Sequence, residues 1–305
     1  MGFSRLLFLL GAMVLVLAGM PATAVAQTSE TKAERDLKEL ATRQRTLLAR
    51  AAKAEHESEV EDLRPQLQQL VFDYEKFLRD YPNLAAGYVS YAMLLGNPLL
   101  EERKRAAALL LKANSLQPDL AVVKNQLGKY LAEDGRPLDA LNYFLAAVQL
   151  EPKEPLYHFQ VGQLLSAARE DFLKSGEWTA EQVETAMRNA FEQAMALSPG
   201  NIMYAYRYAE SFYDLEHPEW DEALKTWRAL EAKVATPVEQ QTMRLHQANV
   251  LIAQKEYDEA RALLATVDEP VLQSQKDKLA QELADATKPP APTSAGEPVA
   301  EPPSQ

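Results

Sequence analysis

Apolar residues recur along most of this chain at intervals of three and four, the spacing that holds side chains on one face of an α-helix. From Ala121 to Pro152 the run AVVKNQLGKYLAEDGRPLDALNYFLAAVQLEP places two such segments around a polar break at Glu133-Asp134-Gly135-Arg136. The first segment carries Leu127, Gly128 and Leu131; the second carries Ala140, Phe144, Ala147 and Leu150 and closes at Pro152. Small residues let two helices approach closely and larger ones fill the space between them. Pro152 lacks an N–H and restrains the residue before it, so the second helix ends near Glu151.

The pattern repeats on both sides. Upstream, Tyr88, Tyr91, Ala92 and Leu95 precede a break at Gly96-Asn97-Pro98, and Ala106, Leu110, Ala113 and Pro118 follow it. Pro118 and Pro152 are 34 residues apart. Downstream, Val161-Gly162 and Leu165 pair with Met187, Phe191, Ala194 and Pro199. Gly162 to Phe191 is 29 residues where Gly128 to Phe144 is 16, which puts an insertion of about 13 residues near 168–180. It contains Phe172 and Trp178, and Thr179 followed by Gln182 has the form of a capping box. A fourth unit opens with Asn201 as a cap and continues through Tyr208, Ala209 and Phe212 to Ala223, Trp227 and Leu230. A fifth carries Ala248 and Leu251, then Ala260, Leu264 and Val267.

The leucine-glycine pair, the large residue three further on, the alanine, the aromatic four later and the closing proline resemble the tetratricopeptide repeat. In the central repeat these are Leu127-Gly128, Leu131, Ala140, Phe144 and Pro152, with Lys124 where the family prefers tryptophan. Lys255-Glu256-Tyr257-Asp258-Glu259-Ala260 follows the family's turn-to-helix wording. The resemblance implies an all-α protein, a right-handed α-solenoid of helix-turn-helix repeats whose first helices line a concave groove. By that resemblance the groove-facing side chains include Val89, Met93, Asn125, Lys129, Phe159, Gln163, Tyr206, Glu210, Tyr213, Leu245 and Asn249. Aromatic residues there offer rigid contact area to a peptide or helix. For Tyr206 and Tyr213 a second reading stays open, ordinary packing against the following helix. Phe172 and Trp178 are candidate contacts on the insertion, with folding back over helix ends as the alternative.

Outside the repeats, residues 1–26 have the form of a secretory signal: Arg5, an apolar core from Leu6 to Leu17, and Ala24-Val25-Ala26 before Gln27. The core is short for a membrane span, and an uncleaved anchor is the alternative. From Thr31 to Leu63 good helix formers carry an incomplete stripe of Leu37, Leu40, Leu47, Leu48, Ala51 and Ala54. This predicts a helix packed loosely on the array, or a short coiled-coil element for self-association. Asp62 is a candidate cap for a second helix through Leu67, Leu70, Tyr74 and Phe77, a degenerate half-repeat. The expected organisation is a targeting segment 1–26, a helical segment 27–63, an array 64–267 of four to five repeats, a capping helix 268–286 and a disordered Pro/Ala-rich tail 287–305.

Composition narrows the function. The net charge of −12 argues against nucleic acid as a partner. The chain has no cysteine, which excludes disulfides, thiolate metal sites and thioether-linked lipid. The four histidines, His56, His158, His217 and His246, have no metal-ligand spacing, and no phosphate loop, nucleophile elbow or dinucleotide fingerprint occurs. The expectation is therefore a non-enzymatic scaffold or adaptor, exported to the periplasm (an extracellular destination being an alternative), that holds a protein or peptide partner and needs no cofactor. A self-associating spacer, built on the N-terminal helix, is the second reading. Enzymatic or regulatory function, the third, calls for a buried polar cluster that the pattern does not show.

Overall fold

The computed structural model describes residues 30–100 and 102–288, and every regular element among them is helical. Residues 1–26 and the tail beyond residue 288 lie outside the described residues. The chain divides into two compact units, Met1–Phe77 and Leu78–Gln305.

In the first unit, α1 (Lys32–Ala51) starts at a capping box. The Thr31 hydroxyl accepts from the Glu34 N–H while the Glu34 carboxylate accepts from the Thr31 N–H. The helix does not continue to Leu63. The chain turns at 52–56, despite good helix formers there, and resumes as the short α2 (Glu57–Glu61) and then α3 (Arg64–Asp80). Asp62 does not cap α3. It sits in the right-handed helical region as the last residue of the α2 turn, whereas an N-cap needs an extended backbone. The reversal sets α1 beside α3: Arg43 Nη1 donates to Asp73 at 2.7 Å and the Tyr74 hydroxyl donates to Gln44 Oε1 at 2.7 Å. Leu40, Leu47, Leu67, Leu70 and Tyr74 are buried.

The second unit contains the repeats. Its helices are α4 (Ala85–Leu95), α5 (Arg103–Leu116), α6 (Ala121–Glu133), α7 (Pro137–Leu150), α8 (Pro155–Ala167), α9 (Arg169–Ser175) and α10 (Ala180–Leu197). Then come α11 (Ile202–Ser211), a 3₁₀ turn at Phe212–Asp214, α12 (Trp220–Glu231), α13 (Pro237–Ala253), α14 (Tyr257–Ala265), a 3₁₀ turn at Pro270–Leu272 and α15 (Gln273–Ala286). Each first helix packs on its own second helix: α4 on α5, α6 on α7, α8 on α10, α11 on α12 and α13 on α14. Each second helix then meets the next first helix, and α15 covers α13 and α14 at the end of the stack. The insertion folds as a helix, α9, wedged among α7, α8 and α10 and ended by Gly176 at φ 73°.

Close approach within a pair depends on the small residues. A Cβ on Gly128 would lie 2.8 Å from Phe144, and one on Gly162 would lie 2.8 Å from Phe191. Phe144 and Phe191 are fully buried, and burial of such a side chain stabilises the fold by about 1.5–3 kcal/mol. The short turns within repeats follow the same logic. At Gly135 (φ 73°) the Arg136 N–H reaches back to the Leu131 carbonyl at 2.9 Å. The Glu256 N–H reaches the Leu251 carbonyl at 2.9 Å in the fifth unit. These are Schellman closures. The left-handed position in the second case is held by Lys255 at φ 67°, which costs about 1–2 kcal/mol that a glycine would not.

Gly162→Val is expected to lower the unfolding free energy by about 2 kcal/mol or more, since the added methyls must displace a ring packed on all sides. Urea denaturation followed by circular dichroism measures it; an unchanged midpoint means that Phe191 can retreat.

Candidate functional site

The expected groove residues lie on α4, α6, α8, α11 and α13 and in the turn after α11, but they do not share one environment. Val89, Met93, Lys129, Gln163, Tyr206, Glu210, Tyr213 and Asn249 are half-buried, and so can meet both core and solvent. Asn125, Phe159 and Leu245 are buried. Phe159 lies edge-on to Phe191 with centroids 5.8 Å apart and tilts on Tyr204 at 4.9 Å. Leu245 belongs to the continuous core that runs from Ala140 to Leu283. Asn125 is 2 % exposed and its Oδ1 accepts no hydrogen bond. These three are packing residues, placed inward because α6, α8 and α13 each have a neighbour on that side.

Between α8 and α11 the half-buried positions form a polar ladder. Arg207 Nε donates to Gln163 Oε1 at 2.8 Å, and Arg207 Nη1 donates to the Glu210 carboxylate. The guanidinium also lies over the Phe191 ring, 5.3 Å from its centroid. One helical turn further along, the Ser166 hydroxyl donates to Asp214 Oδ2 at 3.2 Å. The ladder leads into an open pocket of about 450 Å³, lined by Ser166, Arg169, Met187, Tyr213, Asp214, Leu215 and Glu216. Beside it Arg169 Nη2 donates to Glu184 Oε1 at 2.6 Å, and the Glu216 N–H donates to the other Glu184 oxygen at 3.0 Å. The buried Glu184 carboxylate is thereby matched by a cation and a backbone donor, as burial requires.

Beside the ladder, α11, α12 and α13 meet in an aromatic cluster around His246. The imidazole stacks on the indole of Trp227, with centroids 4.0 Å apart and planes 6° from parallel. Tyr206 meets Trp227 edge-on at 5.1 Å, and its hydroxyl is 2.9 Å from His246 Nε2. Tyr213 lies along the same indole at 6.4 Å and donates to the His246 carbonyl at 3.3 Å, with Nδ1 at 3.4 Å. Burial pushes both phenols well above their usual pKa, so they stay protonated. Burial lowers the His246 pKa to about 4, and the ring is neutral. A consistent arrangement has Nε2 accepting from Tyr206 and the proton on Nδ1 facing Tyr213. Both tyrosines thus pack against the following helices, and only part of each ring faces outward. Trp227 Nε1 is buried near the Tyr213 hydroxyl, short of a well-formed hydrogen bond.

On the insertion, Phe172 is fully buried, so it is core rather than a contact residue. Trp178 is half-buried and edge-on to Phe172 at 5.6 Å. Sequence reasoning missed Arg207, Ser166, Asp214 and His246. Only the Arg207–Glu210 spacing of three carried a local signal; the other partners are 33 to 48 residues apart. Among the described residues no cluster of His, Asp and Glu could hold a metal, and no helix is long and apolar enough to cross a membrane.

No family model and no curated protein matches the chain. Solved structures do. PilF of Pseudomonas aeruginosa aligns with a TM-score of 0.56 at 16% identity, over 83% of this chain and 100% of that one. YrrB, a TPR protein with an unusual peptide-binding site, aligns with a TM-score of 0.53 at 14% identity, over 70% and 96%. At such identities the likeness is one of fold. The chain folds as a right-handed α-solenoid of tetratricopeptide-type helix pairs.

His246 makes that fold sensitive to acid. Unfolding frees the imidazole to bind a proton below pH 6.5, while the folded ring resists protonation until about pH 4. Its contribution is therefore complete above pH 6.5 and lost as pH falls through that window, by about 1.4 kcal/mol per unit. Denaturation between pH 7 and pH 4 is expected to show a steeper loss in the native chain than in His246→Gln. Equal slopes would place the imidazole in solvent.

Proposed function

We propose that this chain is a non-enzymatic interaction scaffold or assembly adaptor of the bacterial cell envelope, one that holds a peptide or helix of a partner protein along the face made by its first helices. The observation that supports it most directly is the ladder between α8 and α11. Gln163, Arg207, Glu210, Ser166 and Asp214 are held in register by mutual hydrogen bonds, yet stay half-exposed or exposed. Arg207 still has N–H groups to donate and the carboxylates have lone pairs to accept, the alternation that a peptide backbone needs. The ring edges of Tyr206 and Tyr213 give apolar contact beside it, and the 450 Å³ pocket has room for one side chain. Because hydrogen bonds and Phe191 already restrain these side chains, ordering them on binding costs little. The peptide-binding site named for YrrB is in keeping with such use of the fold.

The envelope assignment rests on the first 26 residues. Their basic start, apolar core and Ala24-Val25-Ala26 are those of a segment that directs a chain to the periplasm, and through it the chain would meet the membrane. The acidic charge leaves nucleic acid out of the scheme.

Arg207→Met keeps an aliphatic cover over Phe191 and removes the donors. Recovery of the partner from envelope extracts is expected to fall about tenfold or more, as loss of a charge-assisted hydrogen bond implies, with the melting temperature little changed. Full recovery by a folded Arg207→Met protein would move the binding surface elsewhere. Mass spectrometry of the protein from a periplasmic fraction is expected to find Gln27 as its first residue; a retained Met1 in the membrane fraction would replace export with anchoring.

A further inference from the structure

The insertion builds a second recessed surface at the start of α10, lined by none of the ladder residues. Gly176 turns the chain out of α9, the Glu177 N–H is tied to the Ser175 hydroxyl at 3.1 Å, and the Thr179–Gln182 capping box fixes the start of α10. Trp178 is thereby held against Phe172 at one end of a row formed by Gln182, Thr185 and Asn189, spaced so that they share one helix face. These residues, with Ala186, Glu177 and Glu181, line an open cavity of about 600 Å³.

The charges around it are unevenly matched. Arg169 is taken by Glu184, Arg188 by Glu219 and Lys174 by Glu170. Glu177 and Glu181, at the rim, have no ion-pair partner among the described residues. The cavity therefore combines a half-buried indole, two carboxylates without an ion-pair partner, one of them (Glu181) in the first turn of α10, and the free amide donors of Gln182, whose Oε1 is already engaged by the cap. An aromatic wall attracts a cation over its face, and a planar guanidinium also stacks there while reaching carboxylates with its edge.

We propose that this cavity takes an arginine side chain from a partner segment, the guanidinium lying on Trp178 and pairing with Glu177 and Glu181. The insertion then serves as a second anchor point, separate from the ladder and independent of whether the ladder binds. A lysine would satisfy the carboxylates but not the stacking, so it binds more weakly.

The test follows the three tryptophan indole N–H signals by NMR in the full chain, with Trp178 assigned from its absence in Trp178→Phe. Titration with a capped tri-arginine peptide is expected to shift the Trp178 signal saturably, at lower concentration than tri-lysine does. Half-saturation should rise at least fivefold in Glu177→Gln/Glu181→Gln. The absence of a saturable shift at Trp178, equal half-saturation in the double variant, or the same response to tri-glutamate overturns the proposal. Should the double variant lose the Trp220 and Trp227 signals, Glu177→Gln alone, in the loop before α10, gives the same comparison.

Discussion

Every helix pair in the array depends on how near its two backbones can come. At Gly128 and Gly162 the absent Cβ is what lets Phe144 and Phe191 press against the first helix, and a Cβ there would sit 2.8 Å from ring carbons. Once that contact is made, the aromatic ring fills the space between helices and the rest of the pair falls into ridge-and-groove packing. Without it the second helix would stand off, and the next repeat would lose the surface it stacks on. The contact is local, formed within one repeat, which lets each pair assemble before the stack propagates.

The fourth pair extends the same device. Ala209 and Trp227 take the small and aromatic positions, and both are fully buried. An indole is larger than a phenyl ring, and the extra surface reaches past its own repeat to stack on His246 of the fifth. The two tyrosines close over this stack, the Tyr206 hydroxyl on the imidazole and the Tyr213 hydroxyl on the His246 carbonyl beside Nδ1. The most aromatic region of the chain is therefore a junction between repeats, and its polar atoms are mostly used internally. The ladder next to it differs: its groups are bonded to each other yet stay partly open to solvent. The packed junction gives the exposed ladder fixed neighbours that hold it in one geometry.

The insertion shows how a solenoid gains an individual feature without disturbing its stack. Phe172 enters the core and ties α9 down, so the extra residues do not separate α8 from α10. What remains outside is Trp178 with two acidic neighbours. The departure from the repeat length thus gives the array an individual surface, while the regular repeat from Ala121 to Pro152 carries architecture.

Helix positions, the small-to-large spacing and the caps at Thr179 and Asn201 were determined by residues within a turn or two of each other, and for that reason could be read along the chain. So could the 34-residue stacking interval between Pro118 and Pro152. The exposure of particular side chains could not. Asn125, Phe159, Leu245 and Phe172 share helix faces with half-exposed residues, and only the arrival of another helix puts them inside. The turn at 52–56 opposes local propensity, because α1 gains more by lying beside α3 than by continuing. Arg207 finds Gln163 across 44 residues, and His246 finds Tyr206 across 40. Tertiary structure alone decided those meetings, since a period specifies which way a side chain points from its own helix and not what the next helix brings to meet it.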